Sequence, residues 1–361
     1  MNATPALSPD SLRTQLVAAV GAAAVRDDVA TLEFMGTDVY HASGRPALVV
    51  RPSSVAALQA AVGACAAAGI AMVPRSGGAS YTDGYLYAKG GHVLFDCSGL
   101  DQVEIDLPNG MVTAGPGVSW AALRTKLAEV GMRTPFWGPF SGLVATVGGS
   151  VSQNAISHGS GAYGTSAQSV LSMDVVLANG ELLTTCGSQA TRNYGPDLTG
   201  LFTGDCGALG IKAAIRLPLI AKRDGFEALS FAFDDFANYH AATRAAAMEA
   251  IDEENFGVDL ALSQGQIARQ EGVGQKAKVA AEVMRAAPSK LAGLKQLASM
   301  AVSGESAMRS GEWMHHYLIE GVDAAEAASK AKRLRAIMAV SYTHLRAHET
   351  KANLVCRLLL E

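Results

Sequence analysis

The chain has 361 residues, 49% of them hydrophobic and 17% charged, with a formal net charge of −4. That length favours two domains over one, and the apolar share supports a packed core and excludes disorder. The acidic balance excludes an electrostatic footprint for nucleic acid, and no apolar run reaches the roughly 18 residues that a membrane span needs.

Met1–Asp10 has neither a basic region nor a continuous apolar stretch, so no signal peptide is expected. Cys65, Cys97, Cys186, Cys206 and Cys356 are scattered without metal-ligand spacing. They read as reduced thiols in a cytoplasmic protein, with peripheral membrane association still open and no metal site expected.

In chain order, Pro9–Ala30 predicts an N-terminal helix. Ala47–Arg51 is a short apolar run ending at Pro52 and predicts a buried strand. Ser53 or Ser54 can cap the helix that follows, which ends at Gly69. Ile70–Pro74 predicts a second strand, so the unit favours a right-handed parallel crossover. Short strands are expected at His92–Asp96, Val103–Asp106 and Met111–Ala114, with a turn at Pro108-Asn109-Gly110. Ser119 caps a helix closed by Gly131, and a long loop rich in Gly, Ser and Asn runs from Thr134 to Ser169. Strands at Val170–Leu177 and Glu181–Thr185 flank an Asn179-Gly180 turn. A short helix at Tyr194–Phe202 leads to a strand at Leu209–Leu217. Beyond Pro218 the composition shifts, with a boundary expected near Lys222–Gly225. Helices such as Asp235–Ile251 then alternate with strands at Phe256–Leu262 and Trp313–Glu320.

Three glycine-rich segments carry the chemistry. Pro74-Arg75-Ser76-Gly77-Gly78-Ala79-Ser80-Tyr81 follows a strand, and its backbone N–H groups can form an anion-binding nest suited to a pyrophosphate. A plain tight turn is the alternative. The segment is neither a G-x-G-x-x-G fingerprint nor a Walker loop, so a nicotinamide site or an NTPase is not indicated. Thr146–Asn154 and Gly159–Gly164 place two glycine-rich turns close together, as a ligand site or as a surface Ω-loop. Gly195–Ile211 runs from a short apolar helix through a tight turn into a strand.

These segments, with Tyr40 and Arg45–Pro52 before them, resemble the FAD-binding domain shared by vanillyl-alcohol oxidase, p-cresol methylhydroxylase, the flavin-binding GlcD chain of glycolate oxidase and flavin-linked D-lactate dehydrogenases. The resemblance covers roughly Asp38–Leu219. It implies an α+β chain: a two-subdomain PCMH-type FAD-binding fold over 1–223, followed by an incomplete α/β cap domain over 224–339. Ser76, Gly77, Gly78, Ala79 and Ser80 would contact the pyrophosphate, with Arg75 and Tyr81 flanking them. Pro139, Ser141, Thr146 and Gly149 would line the flavin and diphosphate. Asn154, Gly159 and Gly164 would follow the ribityl and adenosine portion, and Ile211 would touch the cofactor through its backbone. Some relatives carry a histidine where this chain has Ala79 and attach the flavin through it. Alanine has no nucleophile, so non-covalent FAD is expected.

The implied activity is an FAD-linked oxidase or dehydrogenase that removes hydride from a CH–OH substrate, a 2-hydroxy acid or an alcohol. Electrons would pass to oxygen, a quinone or a cytochrome; homo-oligomerisation stays open. An enolpyruvyl-type flavin reductase using NADPH and a catalytically inactive FAD-binding fragment are the competing readings. No catalytic residue is assigned. His158 reads first as an exposed loop residue, Trp137 as a structural aromatic, and His315 and His316 as strand neighbours facing opposite ways. Asp234-Asp235 and Asp252-Glu253-Glu254 read as helix-end charges or solvated faces.

Residues 340–361 interrupt the amphipathic helix before them. Back-translated, VSYTHLRAHET fits one frame of a transposase-based sequencing adapter, and LVCRLLLE fits the primer that follows it. This stretch is therefore expected to be non-native, and the natural protein to continue past Ala339 into a segment that returns to the flavin in relatives.

Overall fold

The computed structural model describes residues 9–186, 192, 195–259, 284, 294 and 313–340. The adapter-like stretch from 341 onward lies outside them. The chain divides into two compact units. One holds the residues up to His158 together with Tyr163–Lys222; the other holds Gly159–Ala162 together with the residues from Arg223 onward.

The first unit contains two larger sheets. Its four-stranded sheet has the order Val25–Arg26, Leu48–Val50, Val93–Asp96, Met72–Arg75. Leu48–Val50 and Met72–Arg75 both run parallel to Val93–Asp96, which lies between them. The strand–helix–strand unit therefore skips one strand position, which that later strand fills.

The crossover helix is Val55–Ala67, and the Ser54 hydroxyl accepts the Ala57 N–H at its start. Gly69 follows its end at φ +65, where a side chain would strain the backbone. Leu58, Ala61, Val62 and Cys65 are its buried residues. Their spacing of three, one and three places them on one helical stripe. They pack with Leu12, Leu16, Val50 and Phe95. Burying a leucine such as Leu58 contributes about 1.5–3 kcal/mol.

The second sheet has five strands in the order Val103–Asp106, Met111–Ala114, Ile211–Pro218, Ser172–Val176, Leu182–Thr184. Every neighbouring pair in it is antiparallel. Trp120, Leu123 and Leu127 of the helix Trp120–Ala128 join Val147 and Val151 of the helix Val147–Gln153 in its core.

The second unit has a three-stranded antiparallel sheet in the order Gly225–Phe233, Trp313–Gly321, Glu254–Asp259. Leu229, Phe231, Phe233, Tyr317 and Ile319 pack against the helices Phe236–Ala247 and Ala324–Val340 through Ala242, Ala246, Ala331 and Leu334. The carboxylate of Asp235 accepts the Asn238 N–H and caps the first of those helices.

Several expectations change. The N-terminal helix stops at Val20, because Gly21 takes φ +89; a short strand and a second helix, Val29–Met35, complete the segment. The loop expected from Thr134 to Ser169 contains the helices Val147–Gln153 and Ser160–Tyr163. The nine-residue strand Gly225–Phe233 occupies a stretch where helices were expected to begin. Asp252, Glu253 and Glu254 are buried at the start of a strand, not solvated.

Candidate cofactor site

The strand Met72–Arg75 delivers the chain into the Ser76–Gly84 loop, which walls a cavity of about 440 Å³. That size falls within the range of small-molecule and cofactor sites. Backbone lies directly on backbone around it. A Cβ on Gly77 would stand 1.8 Å from the Val144 carbonyl oxygen, and one on Gly148 would stand 2.5 Å from the Pro116 Cβ. The Ser76 hydroxyl donates to the Pro116 carbonyl at 2.9 Å. Distant stretches of chain therefore meet without side chains between them, leaving main-chain groups to face the cavity.

Local bonds hold this shape. Ser80 Oγ accepts the N–H groups of Thr82 and Gly84 at 3.3 and 3.2 Å. Tyr85 Oη lies 2.9 Å from the Gly78 carbonyl oxygen and 3.1 Å from that of Thr37, and burial pushes its pKa up. The Thr146 hydroxyl accepts the Gly149 N–H at 3.3 Å, and Trp120 Nε1 donates to Ser150 Oγ at 2.8 Å. Asn154 takes a left-handed conformation at φ 49, and its Oδ1 accepts the Ala167 N–H at 3.3 Å.

Arg75 lines the cavity, but its guanidinium is engaged elsewhere. It sits 5.4 Å from the Phe34 ring centroid and 5.0 Å from that of Tyr85, with Nη1 2.9 Å from Met35 Sδ.

Of the residues singled out in the sequence, Arg75–Tyr81, Pro139, Ser141, Thr146, Gly149, Asn154 and Ile211 line this one cavity. Gly159 and Gly164 do not line it, and Gly159 belongs to the second unit. Residues missed from the sequence include Pro116, Gly148, Gln153, Cys206 and Lys212. Lys212 pairs with Asp205, and each side chain is only 3% exposed.

His158 is buried, not exposed in a loop. Its ring stacks on Trp137 at 4.7 Å and meets the Phe140 ring edge-on at 4.6 Å. Burial holds its pKa down at about 4, so it is neutral near pH 7. In the second unit, His315 Nδ1 lies 3.1 Å from Tyr239 Oη, and its Nε2 lies 3.1 Å from Asn255 Oδ1. His316 Nδ1 lies 2.7 Å from Ser230 Oγ.

Among the described residues, Asp38, His41 and Asp83 are the one group whose ligand-type atoms converge. Asp38 already accepts the N–H groups of Tyr40, His41 and Asp83, and His41 Nδ1 lies 3.0 Å from Asp83 Oδ1. Internal bonding accounts for the cluster.

Residues 46–186 match the family model described as FAD binding domain. This segment is an FAD-binding domain. FAD is its cofactor, and the bare-backbone walls around Gly77 and Gly148 fit a group that needs close main-chain approach. Xylooligosaccharide oxidase of Thermothelomyces thermophilus is 32% identical over 176 residues, covering 49% of this chain and 34% of that protein. Glycolate oxidase subunit GlcD of Bacillus subtilis is 30% identical over 177 residues, covering 49% of this chain and 37% of that protein. The chain thus spans little more than a third of these curated relatives. The solved structure of p-cresol methylhydroxylase with substrate bound superposes with a TM-score of 0.67 at 18% identity, covering 92% of this chain and 64% of that one. That likeness establishes the α+β, PCMH-type fold. Among the described residues, no helix is long and apolar enough to cross a membrane.

Proposed function

We propose that the native protein is an FAD-dependent oxidoreductase that oxidises a CH–OH substrate, a 2-hydroxy acid or an alcohol. One observation carries this reading. Segments far apart in sequence, Arg75–Tyr81 and Thr146–Asn154, wall a single cavity with main chain at their closest approach. The name of the glycolate oxidase relative supports a 2-hydroxy acid, and that of the xylooligosaccharide oxidase supports a carbohydrate alcohol.

Bound FAD would supply the redox chemistry, accepting hydride and passing electrons to oxygen, a quinone or a cytochrome. The chain's own residues bind and orient it. Backbone N–H groups of Ser76–Ser80 would face the diphosphate, Pro139–Gly149 the flavin side, and Asn154 and Ile211 the remainder. Ala79 offers no atom for covalent attachment, so the cofactor is held non-covalently. Residues 1–223 would form the cofactor domain and 224–339 part of a cap, with a non-native stretch from 340.

The test is anaerobic bleaching of the flavin in the gene product that continues past Ala339, loaded with FAD. Glycolate and D-lactate represent one substrate class, and alditols and oligosaccharides the other. Bleaching by one class is expected. FAD uptake without bleaching by either class would refute the substrate reading.

A further inference from the structure

The side chains lining the cavity include two cations, Arg75 and Lys212, and no carboxylate. The Arg75 guanidinium is occupied between Phe34 and Tyr85, as described above. That leaves Lys212.

Lys212 lies on the strand Ile211–Pro218, where simple alternation would bury every second residue. Instead Ile211, Lys212 and Ala213 are all buried. The register against Ser172–Val176 slips between Lys212 and Ala214. A bulge of this kind re-aims a side chain, and bulges concentrate beside functional sites. Here a lysine that alternation would send to one face forms part of the cavity wall.

Its partner is held in place. Asp205 pairs with the Lys212 ammonium and accepts the N–H groups of Gly207 at 3.0 Å and Leu209 at 3.3 Å. The carboxylate is therefore fixed by its own turn. The ammonium carries three donors, and the pair with Asp205 uses one of them. The turn also sits at the root of the glycine loop: a Cβ on Gly207 would meet Pro74 Cγ at 2.4 Å.

Stability alone does not explain such a pair. Burying two charges costs several kcal/mol each, and an apolar pair of similar volume is often as stable or more so. Burial pulls the Lys212 pKa down, and Asp205 opposes that shift. A second anion beside the ammonium would add to what Asp205 does.

We propose that Lys212 is the cation that takes the anionic diphosphate of FAD, with Asp205 aiming its ammonium and Arg75 supporting the glycine loop from behind. The inference rests on the FAD assignment. Neutral backbone N–H groups of the loop supply direction, and Lys212 supplies charge. A charge-assisted hydrogen bond in a partly enclosed site is roughly twice as strong as a neutral one.

The experiment uses the full chain stripped of flavin and titrated with FAD. Asp205→Asn/Lys212→Met removes both charges, so no carboxylate is stranded; Lys212→Gln keeps a donor and loses the charge. Both variants are expected to keep a cooperative melt without FAD and to bind FAD at least about tenfold more weakly, equivalent to about 1.4 kcal/mol. At saturation, the phosphorus-31 resonances of bound FAD are expected to move relative to wild type. Wild-type affinity in both variants overturns the proposal. So does weaker binding with unmoved phosphorus resonances, which would make Lys212 structural only. A wild-type chain that takes up no FAD would overturn the cofactor assignment itself, and this proposal with it.

Discussion

The Glu254 carboxylate accepts the backbone N–H of Ser160 at 2.9 Å, and the same oxygen accepts that of Gly161 at 3.3 Å. The two N–H bonds favour the carboxylate form. Burial outweighs them, and with the nearby Asp252 charge it pushes the pKa up to about 7.

The sign of the resulting pH dependence follows from proton counting. Between the ordinary value of 4.5 and about 7, folded Glu254 binds more protons than the unfolded chain does. Its contribution to stability is therefore full below 4.5 and declines as pH rises to about 7. Melting of wild type and Glu254→Gln across that window checks this. The difference between them is expected to shift against wild type as pH rises, and a constant difference would contradict the burial argument.

His315 and His316 set the opposite slope. Burial pulls both down to about 4, so each is held neutral in the folded chain. Acidification from 6.5 towards 4 protonates the unfolded chain first and removes stability. A His315→Gln variant is expected to lose less stability over that range than wild type. Circular-dichroism melts at stepped pH measure the difference.

Gly77→Ala is expected to abolish or greatly weaken FAD binding, because its Cβ would stand 1.8 Å from a backbone oxygen, which cannot swing aside as a flexible side chain would. Gly63→Ala is the contrasting change. Gly63 lies inside the helix Val55–Ala67, and its nearest neighbour to a new Cβ is 4.0 Å away. It is expected to stabilise the chain by about 0.5–1 kcal/mol and leave FAD binding unchanged. Parallel FAD titrations and thermal melts separate the two outcomes.

Acid precipitation of the FAD-loaded chain is expected to give colourless protein and a yellow supernatant. Ala79 has no nucleophilic atom to retain the flavin. Colour that stays with the pellet would show that attachment occurs through another residue.

Much of the first unit was legible in the sequence because its signals are local. The spacing of Leu58, Ala61, Val62 and Cys65 marks a helix face, and the Gly77-Gly78 pair marks a tight backbone approach. The features that escaped depend on distant partners. Lys212 follows a residue already assigned to the cofactor, but its direction depends on a register slip against Ser172–Val176. Asp252, Glu253 and Glu254 have the composition of a solvated turn, yet Glu254 faces Leu318 across a strand pair 64 positions away. The strand Gly225–Phe233 mixes alanines and phenylalanines without clean alternation. Its pairing with Trp313–Gly321 spans a long stretch of chain. His158 has the sequence setting of an exposed loop, and Trp137 and Phe140, which enclose it, arrive from about twenty residues earlier.

The tetrapeptide Gly159–Ala162 gives the clamp at Glu254 a practical meaning for dissecting this protein. The polypeptide leaves the first unit at His158, contributes four residues to the second, and comes back at Tyr163. Cutting the chain after Lys222 therefore does not produce a clean half. The excised piece carries two amides whose acceptor has been discarded, next to the segment that walls the cofactor cavity. An independent flavin module would have to be redesigned at Ser160 and Gly161 before its behaviour could stand for that of the whole.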